Sequence, residues 1–162
     1  MIKIAVVILF IFNVFACNPI QQASQKSSTQ PQIPFTCLAS QSSCEVNTDL
    51  GTFIIDFSGQ VDKGKLKTEL PFQIQLTFAA LSKSFQLKNV NSYLEGKIMF
   101  MGKIPVFFQP ADKSSDTVIA QTLLASCSEE VMAWRLWFSV EIEQDDKTTT
   151  QDFFIDFESQ RL

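Results

Sequence analysis

The segment Val131-Met-Ala-Trp-Arg-Leu-Trp-Phe-Ser-Val-Glu-Ile-Glu-Gln144 places Met132, Trp134, Leu136, Phe138, Val140 and Ile142 at every second position without a break. Successive side chains of a strand point to opposite faces, so an extended chain keeps this row on one side. A helix would spread the same residues around its axis. A strand of this length with one greasy face needs neighbouring strands and a second layer to cover it.

The same period recurs along the chain. Phe72, Ile74, Leu76 and Phe78 alternate with Gln73, Gln75 and Thr77, and shorter rows run through Phe53, Ile55 and Phe57, through Phe85 and Leu87, and through Phe153, Ile155 and Phe157. Turn-forming stretches at Asp62-Lys-Gly-Lys65, Gln109–Asp116 and Glu143-Gln-Asp-Asp-Lys147 separate the rows, and no stretch shows a helical period of comparable strength. The pattern predicts an all-β domain, an immunoglobulin-like antiparallel β-sandwich of seven to eight strands, with a closed lipocalin-type barrel as the alternative. With 16 phenylalanines and a single tyrosine, the core is made of rings without hydroxyls.

The start of the chain has a different character. Met1–Ala16 carries Lys3 and an apolar run of about a dozen residues, which fits a secretory signal peptide and is short for a membrane span of about 20 residues. The end of that run, Val14-Phe-Ala-Cys17, resembles the lipobox of bacterial lipoproteins. That resemblance implies cleavage before Cys17 and its acylation with palmitate. It also implies, because Asn18 and not aspartate follows, an anchor in the outer membrane facing the periplasm, the inner membrane being the other location. Residues 17–34, rich in Gln, Ser and Pro, cannot bury enough apolar surface to fold, and predict a flexible tether with a reach of about 20 to 25 Å. The β-domain is expected to span 35–162.

Formal net charge is −4, and loss of Lys3 with the signal makes the mature chain more negative still. No basic patch is present for nucleic acid, and no polybasic segment for a membrane surface. The absence of histidine excludes Ser-His-Asp and Cys-His nucleophiles, histidine zinc sites and blue-copper centres. Carboxylates such as Asp56, Glu95, Asp156 and Glu158 fall on polar strand faces or beside turns, where solvated side chains are the ordinary occupants, so the chain is expected not to be an enzyme. Apart from Cys17, three cysteines remain for a disulfide-permissive compartment: Cys37, Cys44 and Cys127. Cys37 and Cys44 flank a short loop and are the first pairing by proximity. A bridge from either to Cys127 is the alternative, and one thiol is left over in each case.

Soft sulfur ligands are the remaining chemistry. Read as one strand, Glu95–Gln109 turns Ile98 and Phe100 to one face and Lys97, Met99, Met101 and Lys103 to the other, with the two methionines about 7 Å apart. Thioether and thiolate sulfur select copper(I), and Cys127 or Met132 is placed to add a third ligand. Met132 also belongs to the apolar row and suits a core position. A solvent-side methionine pair equally suits a protein docking surface. The set Met99, Met101 and Gly102, followed by Cys127, Met132 and Trp134 ahead of a final alternating hairpin, resembles FixH and YtkA-like periplasmic domains. That resemblance implies an immunoglobulin-like fold, copper handling, and an envelope protein or respiratory oxidase assembly factor as partner.

Overall fold

The structure, a computed structural model, describes residues 34–36, 43–59, 61–62, 65–111 and 116–162. The signal, Cys17, nearly all of the tether, and Cys37 lie outside the described residues. Two sheets stack around one core. The larger is built on β7 (Phe85–Gly96), β11 (Val131–Gln144) and β12 (Lys147–Gln160), with β8 (Ile104–Phe107) outside β7. Outside β12 lie β1 (Pro34–Thr36) and the pair β5 (Lys65–Lys67) and β4 (Val61–Asp62). The smaller sheet runs in the order β2 (Ser43–Asn47), β3 (Gly51–Ser58), β6 (Phe72–Ala80), β10 (Thr117–Thr122) and β9 (Gln109–Pro110).

This is an all-β sandwich, as the alternation predicts, and not a closed barrel. Of the eight strands of four residues or more, β3, β6, β7, β11 and β12 lie on the rows that alternation marks, whereas β2 and β10 carry no row that the pattern singles out. The others, β1, β4, β5 and β9, are two or three residues long, too short to leave a periodic signal. Two of them depart from the expected antiparallel plan: β1 and β5 both run parallel to β12 along its outer edge.

The β11–β12 hairpin fixes the register of the larger sheet. Asp145 and Asp146 have φ of 48° and 62°. A two-residue turn with both residues left-handed matches the twist of the strands it joins, and short Asp side chains tolerate that region. From Gln144 opposite Lys147 the pairing runs without interruption to Val131 opposite Gln160. It places Trp134, Leu136 and Phe138 beside Phe157, Ile155 and Phe153 on the inner face. All six are buried.

The smaller sheet presents Val46, Phe53, Ile55, Ile74, Leu76 and Phe78 to that face. Phenylalanine rings join the layers. Phe53 lies 4.8 Å from Phe153, which stacks at 4.9 Å on Phe138, and Phe57 lies 5.1 Å from Phe157. Such ring pairs add about 0.5–1.5 kcal/mol beyond the area they bury.

Buried polar atoms in this core are few. The Trp134 indole N–H donates to Ser159 Oγ at 2.8 Å, whereas the buried Thr68 hydroxyl has no partner among the described residues. An unpaired buried hydroxyl costs about 1–3 kcal/mol, and valine has the same shape without it. Thr68→Val is therefore expected to raise stability by roughly 1 kcal/mol, read as a higher denaturant midpoint at unchanged slope. A fall of similar size would show that the hydroxyl has a partner.

Candidate functional site

The expected strand from Glu95 to Gln109 does not form as one strand. β7 ends at Gly96, the chain leaves the sheet over 97–103, and β8 begins at Ile104. Two glycines make the departure possible. A Cβ on Gly96 would collide with Met132 Cε and with the Met99 carbonyl oxygen, so only glycine lets the loop fold back this closely. Gly102 has φ of 75°, in the left-handed region that side chains disfavour. The base of the loop is held from both backbone and side chain: the Lys97 N–H donates to the Ala133 carbonyl at 3.0 Å, and Lys97 Nζ reaches Asp156 Oδ2 at 2.7 Å.

Leaving the sheet overturns the face assignment. Ile98 and Phe100, expected inward, are 77% and 94% exposed, and Met99 is 40% exposed. Met101, expected to share the outer face with two lysines, packs half-buried against the core. Period-two parity holds only while the strand continues, and both side chains that it placed inside are in water.

The sulfurs meet at the foot of this loop. Cys127 lies in the connection between β10 and β11, half-buried, and its Sγ is 3.5 Å from Met132 Sδ. Met132 is 3% exposed and sits in the core row where alternation places it. Its methyl end lies under Gly96, next to the Met99 carbonyl. Among the described residues Cys127 is the free thiol, so neither Cys37 nor Cys44 is bridged to it. Cys44 is buried on β2. No group of three or more Cys, Asp or Glu side chains converges among the described residues.

Beside the loop, the outer face of the larger sheet carries a charged network that the strand pattern alone did not reveal. Hairpin register sets Arg135 opposite Asp156. The guanidinium donates to both carboxylate oxygens, at 2.7 and 3.0 Å, and Lys97 adds a third contact. Arg135 also lies over Phe154, with its Cζ 3.7 Å from the ring centroid. Asp156 is 9% exposed, which corrects its expected place on a solvated face. Its burial alone would raise the carboxyl pKa, but hydrogen bonds from Arg135 and Lys97 outweigh that and hold it below the ordinary carboxylate value. The hydrogen bond to Asp156 in turn raises the Arg135 pKa. Of the other carboxylates, Glu95 accepts from the Trp137 indole at 2.7 Å, Glu158 pairs with Lys65 at 2.9 Å, and Asp56 lies on β3 in the other sheet. The sequence did hold a signal for this network. Counting back equally from Gln144 and Lys147 brings Arg135 to Asp156.

No family model matches the chain, and no curated protein matches it. Among solved structures it is similar to a DUF4785 family protein from Legionella pneumophila, with a TM-score of 0.55 and 11% identity over 70% of this chain. The chain spans 29% of the length of that protein. A second similar structure is the GAE domain of GGA2p from Saccharomyces cerevisiae, with a TM-score of 0.44 and 14% identity, covering 70% of this chain and 96% of that one. At these identities the first likeness shows the β-fold alone.

Asp156 gives a pH test. Its depressed pKa means that the stability it contributes is fully present above the ordinary carboxylate value and is lost as pH falls through the folded-state value, below about pH 4. Asp156→Asn keeps the shape but leaves Arg135 and Lys97 uncompensated, and should cost about 2 kcal/mol at pH 7, less than a fully buried pair because both cations are partly exposed. Denaturant titrations of parent and variant should converge as the pH is lowered toward 2. A gap that stays constant from pH 7 to pH 2 would contradict this account of the pair.

Proposed function

We propose that the chain is a lipid-anchored envelope protein, attached through Cys17 and held off the membrane by 17–34, whose β-sandwich binds copper(I) and hands it on or assists oxidase assembly. The observation that carries the copper reading is the free Cys127 thiol 3.5 Å from the Met132 thioether, at the foot of a loop bearing Met99 and Met101. Two sulfurs bound to one metal at about 2.3 Å each stand about 3.8 Å apart at a tetrahedral angle, so a few tenths of an ångström of opening would admit the ion. Thiolate with thioether is a donor set that favours copper(I) over harder ions. Met101, half-buried at the rim, is nearer the right environment for a further ligand than the more exposed Met99. The bound ion would supply electron transfer or simply cargo, and the residues' own part is to present soft donors away from bulk water. The leftover thiol expected from an odd cysteine count is then this one, and Cys37 is the natural partner for Cys44.

A second reading has its own observation. Ile98 and Phe100 hold large apolar side chains in water at 77% and 94% exposure, on a loop pinned at its base. That arrangement suits insertion into an apolar pocket of another envelope protein, with or without metal.

Copper(I) titration under ascorbate, in competition with a chromogenic chelator, is expected to give one ion per chain. Cys127→Ser should weaken binding at least tenfold, and Met101→Leu by less, with little change in stability since leucine conserves the volume. No copper(I) binding by the parent, or binding unchanged in Cys127→Ser, would remove the metal reading. For the anchor, labelled palmitate should enter the parent and not Cys17→Ala. Incorporation into the variant would contradict acylation at that residue.

A further inference from the structure

The outer face of the larger sheet also carries a groove of about 770 Å³ that plays no part in the sulfur site. It comes from a step in side-chain size between adjacent rows of the sheet. In one row Tyr93 on β7 stands opposite Trp137 on β11, with ring centroids 6.0 Å apart and planes inclined by 22°. Two residues further along each strand the row reads Asn91, Ser139 and Asp152 across β7, β11 and β12. These short side chains leave a trough along the foot of the two rings. At the sheet edge the trough is bounded by Phe107, the last residue of β8 and 76% exposed, because the chain beyond it crosses to β9 in the other sheet.

The polar lining is uncommitted. Asn91 and Asp152 are exposed, Ser139 is half-buried, and Asn89 lies next along β7. Among the described residues none of these four side chains makes a hydrogen bond or ion pair within the fold, whereas Trp137 is held by its bond to Glu95 and by Arg135 over its ring. The groove thus combines fixed rings with free amide, hydroxyl and carboxylate groups.

We propose that this groove binds a short neutral oligosaccharide. A pyranose has a patch of axial C–H groups that packs on an aromatic face, and a rim of hydroxyls that each donate and accept. Rings of Tyr and Trp offer apolar area with a fixed orientation. An Asn amide supplies both donors and an acceptor, and a carboxylate accepts from two neighbouring hydroxyls. The volume of this open groove falls in the range of small-ligand clefts. A purely apolar occupant would bury Asn91 and Asp152 without partners and lose affinity for it. An anionic polymer would meet the Asp152 carboxylate on a chain of net charge −4.

The test uses the full-length protein against immobilised and soluble oligosaccharides: N-acetylglucosamine oligomers, β-glucan, mannan and galactan fragments. At least one series should bind with affinity that rises with chain length, and should shift the fluorescence of Trp137 while leaving buried Trp134 unchanged. Asn91→Ala and Asp152→Ala, both at exposed and unpartnered positions, should each weaken that binding at least tenfold with unchanged melting temperature. Cys127→Ser should bind as the parent does, which separates this site from the sulfur site. Absence of binding across the panel, binding indifferent to both substitutions, or occupation of the groove by an extended peptide in place of sugar would each overturn the proposal.

Discussion

The pairing of β11 with β12 is the constraint on which the rest of the sheet depends. A two-residue turn of left-handed aspartates starts the register, and every later contact inherits it. On the inner face it aligns Trp134, Leu136 and Phe138 with their aromatic and aliphatic partners. On the outer face the same count brings Arg135 to Asp156 and Trp137 to Phe154, whose rings lie 4.8 Å apart. A slip of one residue would turn the core row outward and bury the charged one, so the two faces enforce the same alignment.

From that hairpin the structure reaches the loop at 97–103 through one carboxylate. Asp156 holds Arg135 on its own sheet and Lys97 at the start of the loop. Gly96 then allows the chain to fold over Met132, and Gly102 lets it return to β8. The outcome is a short segment with its backbone anchored and its apolar tip in water, directly above the contact between Cys127 and Met132. Sulfur chemistry and exposed hydrophobic surface are thus two consequences of one departure from the sheet.

The long strands were legible because burial on one face writes period two into the sequence, as Phe72 to Phe78 and Met132 to Ile142 show. Met132 was legible for the same reason, as a core residue. The 97–103 loop was not: Lys97-Ile-Met-Phe-Met101 is a short apolar run that reads as part of a strand, and only the glycines on either side mark it as a loop. Their meaning depends on neighbours distant in sequence, Met132 above all. Short parallel strands such as β1 and β5 escaped because a few residues cannot carry a period. The contact between Cys127 and Met132 could be suggested from spacing, but the distance comes from how the β10–β11 connection crosses the end of the sheet. Likewise the rings of the outer groove were visible as residues, while the trough beside them follows from cross-strand register.

Amide hydrogen exchange tests this account most directly, because it reports whether the backbone of 97–103 is in the sheet. The slowest amides are expected in 131–144 and 147–160, with 98–101 exchanging fast despite their apolar side chains. Slow exchange at 98–101, comparable with β7, would mean that the segment continues the strand with Ile98 and Phe100 buried. That result would contradict both the pinned loop and the sulfur site beneath it.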